Sequence, residues 1–460
     1  MKFWLGVENF AKIEHAKICI NEYTVLVGEN NSGKTFLMQL VQGISEKLAY
    51  LVDETIMEHL LVYDDNTVKE CIINAENISI LVEHINIKLV TEKESIVRDI
   101  FGREIPIEKL YIDALIEDNE SYCLLLMNSN AKKDVEKVNR FHNKLIELAS
   151  TFVEEHTDAI ACVVARENLK NNELTPISVH LTFRNAEWSV FKNALNSIMG
   201  HESLFLPASR TGLLLLYREF FANRKDEEIS FKIRDDKFIE DENKIANLTK
   251  PVYEFLRFLQ TYLEDEERKT SKELSFFEEH LIEGHISLNK QEGLFYNSKN
   301  ENEKVPMYLA SSMINEVAPL VLAITSKRMF KRLIIDEAEA SLHPQKQLEL
   351  VRFFNRLNNN GMKLIISTHS DTFVSKLNNL YLLSEMVKIN GEDILKQFEL
   401  EKEDLISAEN LYVYEVVNKS NGKSVVNEIN ADKNTGYRFD LFTRSAIHIY
   451  EEATKLGELQ

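Results

Sequence analysis

Gly28-Glu29-Asn30-Asn31-Ser32-Gly33-Lys34-Thr35 decides the fold. It matches the phosphate-loop pattern GxxxxGK[ST], whose glycines let the backbone wrap tightly and turn several N–H groups toward phosphate oxygens. The surroundings agree with the pattern. Ile18, Ile20, Tyr23, Val25 and Val27 read as a strand running into Gly28. Phe36, Leu37, Leu40, Val41, Ile44 and Leu48 give a helix from about Lys34 to Leu48 one buried face. The start of that helix adds partial positive charge to the loop. Gly28, Asn30, Asn31, Ser32, Gly33, Lys34 and Thr35 are therefore the candidate nucleotide-binding set. Lys34 is expected to reach the β- and γ-phosphates, and the Thr35 hydroxyl to ligate magnesium.

Two later stretches complete such a site. Leu333-Ile334-Ile335-Asp336-Glu337 is a fully apolar strand that delivers two carboxylates at its C-terminal end, where open α/β sheets bind ligands. Asp336 is expected to hold magnesium, and Glu337 to orient or deprotonate an attacking water. The competing reading is an ordinary strand end with solvated acids. Ile365-Ile366-Ser367-Thr368-His369-Ser370 is a second buried strand, ending in a histidine. A lone histidine is most often a packing residue. His369 follows Asp336 and Glu337 by one crossover, with a helix from Pro344 to Leu357 between the strands, so it is expected at the same sheet edge as a donor to the γ-phosphate. Lys34, Glu337 and His369 are the candidate catalytic residues.

The bulk of the sequence fits an enzyme with more than one lobe. Its 460 residues are long for one compact domain, and 44% hydrophobic with 28% charged residues supports an ordinary core. Only 14 glycines and 7 prolines argue against long disordered stretches. No apolar run approaches the ~18 residues of a membrane span, and Met1 to Gly6 lacks a signal-peptide layout, so a cytoplasmic protein without a membrane is expected. Cys19, Cys71, Cys123 and Cys162 form no CxxC pair, which predicts buried reduced thiols rather than zinc or disulfides. A formal net charge of −20 excludes coating nucleic acid with the whole surface. The only compact basic cluster, Lys327, Arg328, Lys331 and Arg332, directly precedes a core strand and makes a poor track for DNA.

Between the two ends the signals are mixed. Ile78, Ile80, Val82 and 85–90 suggest strands. Asp134 to Phe152 and Glu187 to Met199 read as amphipathic helices, and Ser178 to Phe183 as a strand. Leu204 to Pro207 is a short strand, with helices expected near Gly212 and after Thr249 and Pro251, the latter running into an acidic, solvated stretch at Glu264 to Glu267. Residues flanking Gln291-Glu292-Gly293 read as a hairpin, and Met313 to Ile324 as a helix. The organisation this implies is an ATPase core in two parts, 1–50 and 284–390. An α/β insertion at 51–202, a mainly helical region at 203–283 and a C-terminal α/β extension at 391–460 make up the rest.

GENNSGKT at 28–35, LIIDEAEASLHP at 333–344 and LIISTHS at 364–370 together resemble the ABC-type P-loop ATPases of the SMC, RecF and OLD group. Gly6-Val7-Glu8-Asn9-Phe10 is similar to the opening strand of RecF-like members, and Ala338 departs from their usual DEPE by replacing the proline. The resemblance implies an α/β core with a mixed, mainly parallel sheet flanked by helices. It also implies ATP and magnesium as ligands, and a homodimer or higher homo-oligomer in which two subunits sandwich two ATP molecules. In that family a signature helix from one subunit caps the γ-phosphate held by the other. Leu309-Ala310-Ser311-Ser312-Met313-Ile314-Asn315-Glu316 takes its place here without the usual glycines, so Ser311 and Ser312 are either phosphate ligands or an ordinary helix cap. A PASR strand end like Pro207-Ala208-Ser209-Arg210 is found in bacterial ATPases of the group, which places Arg210 near the nucleotide or a sensing lobe; the structural alternative is a charge leaving a strand. Transporter ATPases carry LSGGQ and a shorter span before it. The resemblance extends to stand-alone anti-phage ATPases of the Septu, PARIS and retron-associated type, which implies a separate nuclease or toxin as effector. OLD and Gabija nucleases carry a Toprim domain after the histidine, where about 90 residues remain here. The alternative is a repair or chromosome-handling ATPase that clamps DNA directly.

Overall fold

The computed structural model describes residues 1–64, 68–116, 120–128, 149, 151–153, 159–168, 173–182, 187–199, 202–222, 248–262, 269–289, 292–299, 304–328, 330–406, 409–439, 447 and 450–456. In chain order the elements begin with β1 (Lys2–Phe10), β2 (Ile13–Cys19), β3 (Tyr23–Gly28), α1 (Lys34–Lys47), α2 (Glu54–Leu60), β4 (Leu61–Asp64), β5 (Val68–Ile73) and α3 (Ala75–Phe101). Next come β6 (Lys109–Leu115), β7 (Glu120–Asn128), β8 (Ile160–Asn168), β9 (Glu173–Thr182), α4 (Glu187–Met199), β10 (Ser203–Leu206), α5 (Arg210–Ala222), α6 (Lys250–Tyr262) and α7 (Lys272–His280). The remainder are β11 (Gly284–Asn289), β12 (Gly293–Ser298), β13 (Lys304–Pro306), α8 (Ser312–Thr325), β14 (Arg332–Ile335), α9 (Pro344–Asn359), β15 (Lys363–Thr368), α10 (Asp371–Asn390), β16 (Leu411–Asn418) and β17 (Ser424–Ile429).

The chain divides into two compact units. One comprises Met1–Asn21, Leu40–Arg98 and Glu104–Ser203, the other Glu22–Gln39, Asp99–Arg103 and Leu204–Gln460. In the latter, strands run in the order β10–β14–β15–β3–β16–β17. β14–β15, β15–β3 and β3–β16 are parallel, and β16–β17 is an antiparallel hairpin. The sheet is thus mixed and mainly parallel, with β14 and β15 joined through α9 in the expected crossover. Leu333, Ile335, Leu364, Ile366 and Val25 lie in a core shared with Phe255, Phe277, Leu320, Leu350 and Phe373 from the flanking helices, all of them buried. Burial on both faces is why these strands read as unbroken apolar runs. His343 caps α9, with Pro344 in its first turn, and Ser370 caps α10 by accepting the Phe373 N–H.

The other unit holds an antiparallel set in the order β2–β1–β6 and an antiparallel five-stranded sheet in the order β4–β5–β7–β8–β9. α4 lies against β8 and β9. Of the helix expected over 134–152, residues 149 and 151–152 are described. Ala149 packs with Leu125, Met127, Ala161 and Val163, and the rest of that stretch lies outside the described residues, as do Glu264 to Glu267 and Gln291.

Two expectations fail for identifiable reasons. The single strand read from Ile18 to Val27 is two strands, β2 and β3. Asn21 interrupts it, its side-chain oxygen accepting the Phe3 N–H at 2.7 Å in place of a ladder partner. The strands read at 78–90 are part of the 27-residue helix α3. Ile78, Leu81, Ile85, Leu89, Ile96, Val97 and Ile100 are buried at helical spacing, whereas Ile87 and Val90 are exposed and mimicked a strand. Asn74 starts this helix by accepting the N–H groups of Glu76 and Asn77. The region 391–460 supplies β16 and β17 to the mainly parallel sheet, so that sheet draws on residues far beyond His369. All four cysteines are buried and free, as expected. Among the described residues no helix is long and apolar enough to cross a membrane.

Candidate functional site

β3 ends at Gly28, opposite Val416 of β16. A Cβ on Gly28 would stand 2.5 Å from the Val416 carbonyl oxygen, so only glycine permits this approach. Gly33, at φ +99°, turns the chain into α1, where its carbonyl accepts the Leu37 N–H at 3.1 Å. Asn30 and Asn31 are exposed in the loop, and Ser32 is buried. The Lys34 ammonium folds back into the loop. It donates to the carbonyls of Gly28 (3.1 Å) and Glu29 (2.8 Å) and to Ser32 Oγ (3.2 Å). Burial pulls its pKa down to about 8, against the upward pull of Asp336, Glu337, Glu339 and Glu29. The hairpin β16–β17 braces the loop from behind. Ser424 Oγ donates to the Ser32 carbonyl at 2.6 Å, and Asn418 Nδ2 to the Glu29 carboxylate at 2.7 Å.

The acidic strand end meets this loop. Thr35 Oγ1 donates to Asp336 Oδ2 at 2.7 Å, and Ser367 Oγ donates to Asp336 Oδ1 at 2.6 Å. Asp336 is buried at the end of β14, where its N–H donates to the Leu206 carbonyl at 2.9 Å. Glu337 adopts φ +49°, unusual for a residue with a side chain, and that twist leaves its carboxylate 45% exposed. Its N–H donates to Ser367 Oγ at 2.8 Å. His369 Nε2 lies 3.9 Å from Glu337 Oε1, and the His369 N–H donates to Glu339 Oε1 at 2.6 Å. Burial, with the Lys34 charge, lowers the His369 pKa below its ordinary value, partly offset by the three nearby carboxylates. The fold therefore brings Lys34, Thr35, Asp336, Glu337 and His369 together.

Arg210 lies at the back of the same strand end and is fully buried. Its guanidinium donates to the carbonyls of Asp336 (2.6 Å), Glu337 (3.0 Å), Pro207 (3.2 Å) and Glu316 (3.0 Å), and pairs with Glu316 Oε1 at 2.7 Å. Thr211 Oγ1 donates to the other Glu316 oxygen. Burial raises the Glu316 pKa, and Arg210 pulls it back. Arg210 thus lies beside the acidic strand end, on the backbone of both Asp336 and Glu337 and on the Glu316 carboxylate.

Ser311 and Ser312 are exposed at the start of α8. Ser311 acts as the helix cap, its hydroxyl oxygen accepting the Ile314 N–H at 3.3 Å. Asn315 fixes the approach to that turn by donating to the carbonyls of Met307 (2.9 Å) and Ala310 (3.2 Å).

Sequence reasoning overlooked Ser367, Glu316 and Ser424. Ser367 had a readable signal, a hydroxyl two residues before His369 on a buried strand. Ser424 and Glu316 had none, because their partners lie 392 and 106 residues away. Thr35 and Asp336 offer oxygen donors only, the chemistry that magnesium takes. Among the described residues no group of three or more His, Cys, Asp or Glu side chains is placed to hold a metal, which a magnesium ion held jointly with phosphates does not require.

No curated protein matches the chain. Among solved structures it is similar to an SMC head bound to the C-terminal winged-helix domain of ScpA, at 12% identity, covering 94% of this chain and 98% of that one, TM-score 0.36. It is similar also to the SMC head domain from Thermotoga maritima, at 10% identity, covering 94% and 100%, TM-score 0.33. A third is the Pyrococcus furiosus SMC head with an extended coiled coil bound to the C-terminal domain of ScpA, at 12% identity, covering 98% and 98%, TM-score 0.31. The family model described as AAA ATPase domain matches residues 1–374, a span that holds the phosphate loop, the acidic strand end and His369. The chain belongs to this AAA ATPase domain family.

Proposed function

We propose that the chain binds ATP with magnesium and hydrolyses it. The observation that carries this reading is the Thr35–Asp336 hydrogen bond, which puts a phosphate-loop hydroxyl on a strand-end carboxylate. Lys34 leaves its loop carbonyls to hold the β- and γ-phosphates, and the loop N–H groups of residues 28–35 hold the rest. Thr35 and Asp336 would hold the magnesium, which would supply neutralisation of phosphate charge. Glu337, with its carboxylate exposed beside His369, aligns the water and takes its proton. His369 donates to the γ-phosphate. Phosphate release from ATP by the purified chain, compared with Lys34→Ala, tests the reading. Equal rates in the two proteins would end it.

Hydrolysis is coupled to a homodimer or higher homo-oligomer in which ATP is held between two copies. The strongly exposed Tyr308 and Leu309, directly before Ser311 and Ser312, support an interface there. Ser311 and Ser312 then face the second copy's γ-phosphate with the N–H groups of the α8 start. Closing on ATP and opening on hydrolysis makes a two-state switch.

The biological role that fits best is the ATPase subunit of an anti-phage system acting with a separate nuclease or toxin. The net charge of −20 suits a basic protein partner better than DNA. The basic cluster is also smaller in space than in sequence, since Arg332 is buried. Co-purification of the chain with the products of its neighbouring genes tests the role. Tight, salt-dependent DNA binding by the chain alone would favour the repair reading instead.

A further inference from the structure

We propose that Arg210 is a positioning residue which transmits the state of the α8 N-terminus to the Glu337 carboxylate, so that hydrolysis depends on what that helix contacts. The inference rests on the ATPase reading above and deepens it. One buried side chain touches both ends of the path. On one side its Nη1 and Nη2 donate to the carbonyls of Asp336 and Glu337 themselves, at 2.6 and 3.0 Å. On the other, its Nε donates to the Glu316 carbonyl at 3.0 Å and its Nη2 pairs with the Glu316 carboxylate at 2.7 Å. Glu316 lies on α8, in the residues just after the cap Ser311.

The geometry at Glu337 gives this fork a task. A residue with a side chain at φ +49° holds that conformation only where its surroundings over-determine it. Ser367 Oγ receives the Glu337 N–H, and the Glu337 carbonyl is held by Arg210 together with the Ala340 N–H at 3.1 Å. A planar fork with fixed donor directions resists rotation of the two carbonyls in a way that a lysine ammonium does not. Any shift of the first turns of α8 pulls on Glu316, and through Arg210 on the backbone that aims the Glu337 carboxylate. A buried guanidinium needs acceptors for its five N–H donors whatever its role, so the carbonyl bonds alone do not separate positioning from support, and the kinetic readings below do.

Arg210→Lys keeps the charge and removes the fork, and Glu316→Gln keeps the shape and removes the charge. ATP affinity, ATP-dependent dimerisation by light scattering, KM and kcat would be measured for each at several protein concentrations. Expected are affinity and dimerisation within threefold of the parent, with kcat lowered at least tenfold and no longer rising with protein concentration. In a Glu337→Gln background neither change should lower the residual rate further, because both act through Glu337. Parental kcat in Arg210→Lys would overturn the inference. So would a parallel loss of affinity, dimerisation and kcat, which marks a merely structural pair. If Arg210→Lys fails to fold, Glu316→Gln decides by the same readings. A parent chain that releases no more phosphate than Lys34→Ala overturns the ATPase reading and this inference together, whereas normal parental turnover with an indifferent Arg210→Lys overturns this one alone.

Discussion

The Thr35 hydroxyl donates to Asp336 Oδ2 across 2.7 Å although 301 residues separate them in the chain. If the pair holds magnesium, Thr35→Val removes one oxygen ligand and leaves the loop backbone intact. ATP affinity measured with magnesium should then fall to about the value measured in EDTA, and kcat by roughly tenfold or more, because the metal is worth several kcal/mol of charge stabilisation. A variant whose affinity still responds to magnesium as the parent does would exclude Thr35 as a ligand.

Glu337→Gln preserves side-chain shape and removes the base. Binding of ATP should persist while turnover drops about 10²–10⁴-fold, the usual worth of general-base catalysis. Single-turnover phosphate release, read beside equilibrium ATP binding, checks this. Unchanged turnover would move the base elsewhere.

Ser367 serves two groups at once, Asp336 Oδ1 and the Glu337 N–H. Ser367→Ala strands both in a buried place, at a cost of about 1–3 kcal/mol for an unsatisfied polar group. Urea unfolding should show the lower midpoint at an unchanged slope. Turnover should fall with ATP affinity retained, since the loop itself is untouched. A variant with parental stability would mean that another partner takes over.

Stability should weaken in acid through Asp404. Burial raises its pKa, yet the Arg356 and Arg352 hydrogen bonds at 2.7 and 2.9 Å and the Glu401 N–H together bring it below the ordinary carboxylate value. A depressed folded value favours the ionised form in the native state. Its contribution is therefore fully present above the unfolded value near 3.9 and is lost as pH falls through the lower folded value. Asp404→Asn should lower Tm at neutral pH, with a loss of up to about 3–5 kcal/mol for breaking a buried pair. The gap from the parent should narrow as both are taken toward pH 3. A constant gap across that range would show that the carboxylate charge plays no part.

Where local pattern and tertiary placement agreed, the chain could be read directly. The phosphate loop, the strands at 332–335 and 363–368 and the helix between them follow from apolar runs and glycine positions, because a parallel strand buried on both faces has no other way to be written. Helix α3 was misread because exposed Ile87 and Val90 interrupt its helical period with strand-forming residues. Asn21 hides the end of one strand and the start of another inside what looks like a single strand, since a side-chain amide can mimic the backbone. Arg210 drew notice through its motif, which did not name its partners. Sequence marks a charge, whereas the four carbonyls it serves come together only in the folded chain.

The strand that lies beside Gly28 is made of Leu411–Asn418, with Val416 as the partner of Gly28 itself. On a ribosome adding about 5–20 residues per second, the phosphate loop therefore waits on the order of tens of seconds for its neighbour. Throughout that interval the nascent polypeptide lacks the hairpin that braces residues 29 and 32. Synthesis order thereby delays assembly of the nucleotide cradle until translation is well advanced, and contacts of such sequence separation make its folding slow.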